Sequence, residues 1–384
     1  MAKINRRSFV QSLGVAAALG LSGGAETSIA TGEPNSAATN AVKSVAVGES
    51  RDPLTITVVP SGKDDTRSLQ AAIDRCLKRK QRLALGEGVF HISETLKIDR
   101  CLNFCLAGMG AADPNAKNGW AASGRALGTC LRWKGAAGGT MLLIKSSMWP
   151  TISGLFFDAA GSAGVGIQMS TVFGWPTSGV RLRDITVSRA MAAGIQFDMP
   201  SQPNGDNTDL SDFDSITLNK CAVGIRVCND QSVGHYWRRI NNSFSQVAIE
   251  FLQGGDVIIE RGWQDGPGPA DATFFKTHGG GENAAQIQIS GIHLEHGRLF
   301  DSRLAGIVVG IRGIQDSRSD THAPPLCIFG KWAGAVTIMA SQLKGPIIAT
   351  PETSVTLIGC TYVTASVPHP VRKLVQGTKK VHVL

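Results

Sequence analysis

Four aspartates fall within ten residues of this 384-residue chain, in the stretch "GDNTDLSDFD" at residues 205–214. Carboxylates this close together can act as a catalytic acid and base, hold a cation, or form a solvated loop. An EF-hand loop is not indicated, because the sixth residue from Asp206 is not glycine and the twelfth is not glutamate. Oxygen ligands from neighbouring parts of the chain could still hold Ca²⁺, but no motif supports this. We therefore assign no cofactor and no metal ligand.

Arginine and histidine side chains follow in three polar segments, "GHYWRRINN", "IERGWQDGPGPADATFFKTHGGGEN" and "GIHLEHGRLFDSR". Such groups beside a uronic acid can lower the pKa of its C5 proton and remove that proton, which is the chemistry of a β-eliminating lyase. The residues predicted to be catalytic are Asp214, Arg238, Arg239, His293 and Glu295. The residues predicted to bind substrate are His235, Asn241, Arg261, Trp263 and His296. An exposed Trp263 would suit stacking on a sugar ring. The alternative is a set of long loops that are polar without a function.

The composition is that of a globular protein with a basic surface. The formal net charge is +8, there are 45 glycines, and 18% of the residues are charged, unlike a disordered chain or a coiled coil. A positive surface favours an acidic partner, so we expect an acidic polysaccharide and no nucleic acid. The eight cysteines include no CxxC pair, and we expect buried apolar side chains rather than disulfides or a zinc site.

The first residues look like an export signal. Arg6 and Arg7 precede an apolar run rich in glycine and alanine, and residues 28–30, "SIA", offer a cleavage site between small residues. The pattern resembles a bacterial twin-arginine (Tat) signal peptide at 1–30, with a Sec signal or an uncleaved anchor as the alternative. Residues 31–53 are predicted to be a linker. We expect Tat export to the periplasm or the extracellular space, with no membrane span in the mature protein.

One helix and a weak repeat organise the remaining domain, 54–384. Apolar residues share one face of "DDTRSLQAAIDRCLKRK", which predicts an amphipathic helix at about 65–80. An apolar-x-x-apolar-x-apolar pattern then recurs, with anchors at Leu155, Ile185, Ile216, Ile240 and Ile292. A second short strand follows each, at "GIQM", "GIQF", "GIRV", "AIEF" and "GIVV". The uneven spacing favours a helix-capped parallel β-solenoid over a propeller, with a β-sandwich as the alternative. The gap between Ile240 and Ile292 leaves room for a skipped coil or a large insertion.

Successive coils should bring particular side chains together. Parallel coils lie about 4.8 Å apart, so residues at the same place in the repeat become neighbours. Asp214 should therefore lie beside Arg238, and Arg226 beside Glu250, with ordinary surface ion pairs as the alternative interpretation of both. The two residues between the first and second apolar positions should form a solvent-facing corner. Trp237 occupies an apolar position and should be buried.

The segment "SGKDDTRSLQAAIDRCLKRKQRLALGEGVFHISETLKI" resembles a known family. Paired aspartates, a threonine, a Gln-Ala-Ala-Ile helix and a Gly-x-Phe-x-Ile strand resemble the opening of the pectate-lyase-like superfamily, in its rhamnogalacturonase and epimerase branch. The matching residues are Asp64, Asp65, Thr66, Gln70, Ala71, Ala72, Ile73, Gly88, Phe90 and Ile92. The resemblance implies an all-β, single-stranded right-handed parallel β-helix, whose cap and first coil contain this motif.

The resemblance also implies activity on polysaccharide, although a fold does not define a reaction. Polygalacturonases of this superfamily carry Asn-Thr-Asp and Asp-Asp motifs. Asn207-Thr208-Asp209 matches the first in letters but lies outside the corresponding strand, and no carboxylate precedes "GIQF" or "GIRV". We therefore expect an exported carbohydrate-active enzyme, a lyase or epimerase on an acidic glycan. The alternatives are a glycoside hydrolase of the same fold and a non-catalytic glycan-binding or envelope protein.

Overall fold

The computed structural model describes most of the chain beyond residue 53. The described residues are 48–49, 54–111, 128–172, 175–198, 207–265, 272–278, 286–302, 307–319, 324–330, 334–364 and 367–384. By its internal contacts the chain divides into Met1–Val42 and Lys43–Leu384, and every described residue belongs to the second unit. The predicted signal peptide lies outside the described residues, as does the predicted linker except for 48–49.

The described residues form short strands, with an α-helix, α1 (Thr66–Arg79), near the start and a 3₁₀ helix (Val371–Leu374) near the end. The first strands are β1 (Gly48–Glu49), β2 (Thr55–Val58), β3 (Arg82–Leu85), β4 (Gly88–Ile92), β5 (Leu96–Asp99), β6 (Cys105–Ala107), β7 (Thr129–Trp133), β8 (Thr140–Lys145), β9 (Thr151–Asp158) and β10 (Val165–Ser170). The next are β11 (Arg181–Ser188), β12 (Ala193–Phe197), β13 (Asp212–Asn219), β14 (Val223–Val227), β15 (His235–Ser243), β16 (Val247–Phe251), β17 (Val257–Asp265), β18 (Thr273–Thr277), β19 (Gln286–Leu294) and β20 (Arg298–Ser302). The last are β21 (Val308–Arg312), β22 (Gln315–Asp316), β23 (Cys327–Phe329), β24 (Ala335–Met339), β25 (Gln342–Leu343), β26 (Ile347–Ala349), β27 (Ser354–Ile358), β28 (Thr361–Thr364), β29 (Val367–His369), β30 (Val375–Gln376) and β31 (Val381–Val383).

Each middle turn of the chain adds a long strand to a first sheet and a short strand to a second. In the first sheet β9, β11, β13, β15, β17 and β19 pair in parallel, each with the next. In the second sheet β8, β10, β12, β14, β16, β18 and β20 do the same. The chain is therefore a parallel β-solenoid of about ten turns, which confirms the predicted fold class.

The strand register confirms the predicted stacking of the middle coils. The residues paired in successive strands are Leu155, Ile185, Ile216 and Ile240. Between Ile240 and Ile292 there is one further coil, formed by β17 and β18, in which Gly262 takes the equivalent position. A Cβ on Gly262 would lie 2.6 Å from the carbonyl oxygen of Ile240, so the close approach of the strands excludes a side chain. The apolar pattern misses this coil because of the glycine, and the segment around Glu260 is a regular strand rather than a large insertion.

The prediction that "GIVV" forms a second strand is wrong. Its described part begins β21, which pairs with β19 in the first sheet. The second strand of the preceding coil is β20, which pairs with β18. The repeat pattern misses β20 because its sequence, "RLFDS", lacks the small residue and isoleucine found near the start of β10, β12, β14 and β16.

The predicted cap is confirmed, since α1 packs against β2, β3 and β5 and its bounds agree with the predicted 65–80. Leu69, Ile73 and Cys76 are buried on its inner face. The Gln70 side chain hydrogen-bonds both backbone groups of Lys97 at the open edge of β5. Its Oε1 accepts from Lys97 N at 2.8 Å and its Nε2 donates to Lys97 O at 3.0 Å.

The two aspartates of the N-terminal motif fix the chain entering α1. Asp64 Oδ1 accepts from the amide of Thr66 at 3.0 Å, which satisfies a free N–H group of the first turn. Asp65 accepts from Ser61 N at 2.9 Å and from His91 N at 3.2 Å. These bonds join the helix to the first coil, and both carboxylates have a structural role.

A left-handed residue bends each long strand of the first sheet near its middle. The residues at this position are Gly154, Asp184, Ser215, Arg239, Arg261, Gly291 and Gly313, with φ between 51° and 66°. A residue other than glycine adopts this conformation at a cost of about 1 kcal/mol or more, so the stacked coils must hold it there. The predicted corner is confirmed. Outward side chains before and after the bend belong to two different faces of the solenoid.

The interior of the solenoid is apolar and aromatic. Trp237 is fully buried, as predicted, and its ring stacks on Phe213 with the ring centroids 5.3 Å apart. All eight cysteines are free and are buried or half-buried, as expected. Burial raises the pKa of the Cys221 thiol to about 11. Among the described residues, no helix has both the length and the apolar character needed to cross a bilayer.

Candidate functional site

Asp214 lies at the centre of an arginine network on the outer surface of the first sheet. The register sets it beside Arg238, as predicted, and Arg238 Nη2 lies 3.3 Å from Asp214 Oδ2. Arg239 Nη2 is 2.6 Å from Asp214 Oδ1, and Arg183 Nη1 is 3.4 Å from Asp214 Oδ2. Asp212 contacts the guanidinium groups of Arg183 and Arg238. Both oxygens of the Asp214 carboxylate are therefore occupied by cations.

Tyr236 and Glu260 form a second polar contact beside this network. Tyr236 OH donates to Glu260 Oε2 at 2.5 Å, and this hydrogen bond raises the pKa of Tyr236. The guanidinium of Arg238 lies over the Tyr236 ring, 5.1 Å from the ring centroid. Glu260 follows Arg238 in the same outward column because β15 and β17 pair these two residues. A carboxylate acceptor and a phenol donor thus lie next to the cations.

An open groove of about 460 Å³ continues from Glu260 along the same face. Its walls are side chains of β17, β19, β21 and β24, with Gln288, Ser290, Arg312 and Thr337 as polar groups. The lining also includes Ile258 and Val308, which are 39% and 52% exposed. The groove therefore combines hydrogen-bonding groups with exposed apolar surface, as ligand-binding clefts do.

Trp263 and His293 form an exposed pair on the face beyond the bend. Their rings stack with centroids 5.5 Å apart, and the Trp263 side chain is 41% exposed. His293 Nε2 lies 3.7 Å from Glu295 Oε1. Asn241 is the neighbour of Trp263 in the preceding coil. The structure thus brings together a predicted catalytic pair and two of the predicted substrate-binding residues.

The predicted catalytic residues divide into two groups. Asp214 contacts Arg238 before the bend and Arg239 at the bend, whereas His293 and Glu295 lie beyond it. In the part of the chain that the structure describes, no hydrogen bond or ion pair joins the two groups. They form two adjacent clusters on neighbouring faces rather than one constellation.

His235 is not available to a ligand, contrary to its assignment to the binding set. It is 2% exposed, and its ring nitrogens are 2.8 Å from Ser211 Oγ and 3.0 Å from Ser232 Oγ. Burial lowers its pKa to about 3. The remaining two predicted binding residues, Arg261 and His296, are exposed.

Five residues of these surfaces are not among the predicted site residues, although alignment of the repeats could have indicated three of them. They are Arg183, Asp212, Tyr236, Glu260 and Arg312. Arg183, Glu260 and Arg312 occupy the same outward column as Asp214 and Arg238, because the strands from β11 to β21 pair these residues in succession. A sequence alignment that treated β17 as the first strand of a separate coil would have placed Glu260 in this column.

Another charged cluster lies on the second sheet. Arg226 Nε donates to Glu250 Oε2 at 2.7 Å, so the predicted neighbours are in contact, and His278 Nε2 lies 2.8 Å from Glu250 Oε1. Burial opposes ionisation of Glu250, but the contacts with Arg226 and His278 outweigh it and lower its pKa. Since both oxygens are occupied and the Glu250 side chain is 8% exposed, the cluster has the character of a structural ion pair.

The acidic stretch at 205–214 does not form a cation site in its described part. Asp212 and Asp214 contact the arginine network, and Asn207 Nδ2 donates to Asp209 Oδ2 at 3.1 Å. Asp206 lies outside the described residues. Throughout the described ranges, no three His, Cys, Asp or Glu side chains are grouped so that they could hold a metal ion.

Solved structures of distant sequence are similar to this chain. The A-module of the Azotobacter vinelandii mannuronan C-5 epimerase AlgE6 is 11% identical, covers 84% of this chain and 96% of its own length, and has a TM-score of 0.46. The catalytic domain of Agl-KA is 12% identical over 88% of this chain and 69% of its own, with a TM-score of 0.47. A double-mutant tailspike protein of Escherichia coli bacteriophage HK620, in complex with a pentasaccharide, is 11% identical over 84% and 77%, with a TM-score of 0.37. No family model and no curated protein matches the sequence. The likeness is a distant one of parallel β-solenoid folds.

Proposed function

We propose that the chain is a carbohydrate-active protein that binds an acidic polysaccharide along the outer face of the first sheet. The observation that carries this proposal is the groove of about 460 Å³, which begins at Glu260 beside the arginine network and crosses β17, β19, β21 and β24. Outward side chains repeat from coil to coil, so a linear ligand would meet a row of equivalent positions. Gln288, Ser290 and Thr337 offer hydrogen bonds to sugar hydroxyls, and the arginines would attract carboxylates.

The reaction we propose is removal of the C5 proton of a uronic acid, the step that a β-eliminating lyase and an epimerase share. It requires a cation against the carboxylate of the sugar and a proton acceptor near C5. Arg238 and Arg239, held by Asp214, would supply the cation. Glu260 is the acceptor that the groove offers, and its hydrogen-bond partner Tyr236 would return a proton to the leaving oxygen on the same side of the sugar.

His293 is the acceptor for a sugar bound across the bend. Its Nε2 lies 3.7 Å from Glu295 Oε1, a contact that can orient the ring. The indole of Trp263 stacks on the same ring, and its exposed surface would be available to a sugar. Asn241 and His296 would bind hydroxyl groups nearby. This face and the groove would then engage successive parts of one chain.

A non-catalytic glycan-binding protein is the second candidate. The contacts of Asp214 favour it, because the guanidinium groups of Arg183, Arg238 and Arg239 occupy both oxygens of this carboxylate. A glycoside hydrolase has less support. It needs two carboxyl groups flanking the bond, whereas Glu260 is the one carboxylate among the described residues that line the groove.

The test is incubation of the chain with a panel of uronic acid polymers. Ultraviolet absorbance of unsaturated ends reports a lyase, NMR of the sugar reports inversion at C5, and reducing ends report a hydrolase. Calorimetry measures binding in parallel. Turnover that is lost in Glu260→Gln and Tyr236→Phe, with binding retained, would support the proposed reaction. Binding without turnover would support the second candidate, and a folded protein with neither would contradict both.

We also propose that the protein is exported by the Tat pathway. The support is the twin arginine Arg6 and Arg7 ahead of the apolar run. In a bacterial host, the wild-type chain should reach the periplasm in processed form. The double variant Arg6→Lys, Arg7→Lys should accumulate in the cytoplasm, and equal export of both chains would contradict the proposal.

A further inference from the structure

Arg312 in the groove and Arg261 at the bend, next to the groove residue Glu260, lack an ion-pair partner among the described residues. The neighbouring cations Arg183, Arg238 and Arg239 are each engaged by an aspartate. Arg312 lines the groove and Arg261 occupies the bend two coils after Ser215, and both are exposed. Neither makes an ion pair or a side-chain hydrogen bond in the described part of the chain. On a surface otherwise organised in pairs, these guanidinium groups are available to a negatively charged ligand.

Two glycines open space between these arginines. Gly291 and Gly313 follow Arg261 in the bend column, so the stack passes from an arginine to positions without a side chain. A Cβ on Gly291 would lie 3.6 Å from Arg261 Cγ, and the stem of Arg261 therefore extends over Gly291. A Cβ on Gly313 would have the amide nitrogen of Gly291, at 3.8 Å, as its nearest neighbour. No side chain of Gly291 or Gly313 therefore stands beside the stem of Arg261, and the strip of backbone at Ser290 and Gly291 next to this stem is called the shelf.

Arg312 closes the other side of this shelf. The pairing of β19 with β21 sets Arg312 directly beside Ser290 in the outward column. The Ser290 hydroxyl makes one long hydrogen bond, to Ile259 O at 3.4 Å, and it keeps the capacity to bond a ligand. Arg261 and Arg312 therefore lie in the coils before and after the Ser290 hydroxyl, with the glycines adding no side chain between them.

We propose that Arg261 and Arg312 form an anion subsite over the shelf of Ser290 and Gly291, which holds a carboxylate group of an acidic glycan lying in the groove. This inference rests on the proposed function and specifies which part of the groove recognises the charge of the substrate. The planar guanidinium fork matches the two oxygens of a carboxylate. A sulfate ester presents similar oxygens, so the experiment must distinguish the two groups.

The position of the subsite indicates how a bound glycan would run along the groove. Glu260, Ser290 and Arg312 follow one another in a single outward column on β17, β19 and β21. The backbones of Glu260 and Arg312 are therefore about 9.6 Å apart, twice the spacing of neighbouring strands. The reacting sugar lies between the arginine network around Asp214, which holds its carboxylate, and Glu260, the proposed proton acceptor. A carboxylate held at Arg312 would then belong to the next acidic unit of the same chain.

The experiment is isothermal titration calorimetry of the chain at low salt with three probes. These are an oligogalacturonate, a sulfated glucan and the same glucan without sulfate. Arg312→Ala and Arg261→Ala are compared with wild type and with Arg372→Ala, an exposed arginine outside the groove. Losing one charge-assisted contact should weaken oligogalacturonate binding by about 10- to 100-fold and leave binding of the neutral glucan unchanged. Arg312→Lys should fall between wild type and Arg312→Ala, because lysine keeps the charge but not the fork.

Each result decides a separate point. A loss confined to oligogalacturonate supports a carboxylate subsite, and an equal loss for the sulfated glucan overturns selectivity for carboxylate. If wild type binds oligogalacturonate and both alanine variants, with unchanged melting temperatures, bind it equally well, the subsite is wrong while the proposed function stands. If wild type binds no acidic glycan, both are wrong. Weaker binding of the neutral glucan by the variants would indicate a packing role and overturn the subsite.

Discussion

Trp263 and His293 stack as adjacent rungs of one outward column, with 17° between their ring planes. The register of β17 and β19 fixes this pairing, because the two residues are directly opposite each other. The backbone of each coil therefore orients one ring against the next, and strand backbone rather than a flexible loop holds the exposed part of the indole in place. Rigid aromatic surface of this kind binds with little loss of side-chain entropy.

Replacing Trp263 should weaken glycan binding regardless of glycan charge. We expect Trp263→Ala to lower the affinity for acidic and neutral probes alike by roughly tenfold, because ring stacking does not depend on a carboxylate. Calorimetry with both probes measures this. The control is Trp175→Ala, a tryptophan that is 56% exposed and lies outside the groove lining. Unchanged affinity in Trp263→Ala would exclude this face from binding.

Removing the charge of Asp214 should strengthen binding of acidic glycans. Asp214→Asn releases Arg239 and removes one of the two carboxylates that engage Arg183 and Arg238, so more positive charge is available to a ligand. We expect affinity for an oligogalacturonate to rise roughly three- to tenfold at low salt and to lose that gain at high salt. Stability should fall by only about 1 kcal/mol, since the arginines are partly exposed.

The matched control for this variant is Asp99→Asn, an exposed aspartate at the end of β5. It changes the net charge by the same amount outside the network, so it separates local release of arginines from a general charge effect. Equal gains in both variants would contradict the local explanation. If turnover exists, its loss in Asp214→Asn despite tighter binding would identify a positioning role for the carboxylate.

His235 should make the fold sensitive to acid. Burial lowers its pKa from 6.5 to about 3, so the folded protein keeps the neutral imidazole. Its contribution to stability is complete above pH 6.5 and declines by about 1.4 kcal/mol per pH unit as the pH falls toward 3. Urea unfolding between these values should show a steeper loss in wild type than in His235→Gln. Parallel pH profiles would show that the ring does not control acid sensitivity.

Gln70 should be the link between the cap helix and the first coil. Gln70→Ala removes both hydrogen bonds to Lys97 and leaves its N–H and C=O to water at this exposed edge. We expect a loss of about 1 kcal/mol in the free energy of unfolding, and faster hydrogen exchange at Lys97. Lys78→Ala, on an exposed position of the same helix, is the control and should change stability by less than about 0.5 kcal/mol. Protection at Lys97 that survives Gln70→Ala would contradict this role.

The repeat in the sequence predicts neighbours in space because parallel coils preserve register. The pairs Asp214 with Arg238 and Arg226 with Glu250 follow from alignment alone, and both are in contact. Side chains alternate between the inside and the outside along β15, and His235 lies on the same side of the strand as buried Trp237. This alternation also predicts that His235 is buried. Its polar character suggested a surface residue, but the hydroxyls of the neighbouring serines satisfy it inside.

The sequence does not predict what depends on side-chain conformation or on a missing apolar residue. Gly262 stands where the other coils have an apolar residue, so the sequence pattern does not identify β17 as a strand of the repeat. Trp263 and Glu260 can then be assigned to an insertion. The convergence of the arginines on Asp214 depends on side-chain rotamers, which a repeat pattern does not specify. The separation of His293 from Asp214 depends on the bend, because residues close in the repeat can face different directions.

The bend recurs at the same position in each coil from Gly154 to Gly313. The length of both faces is therefore set by the number of whole coils. Inserting or deleting one whole coil would lengthen or shorten both faces together and leave the angle between them unchanged. Inserting a single residue would reverse the inside and outside of one strand. Variants with a duplicated coil are therefore a natural way to set how many sugar units the protein spans, while the chemistry of each position stays with its own coil.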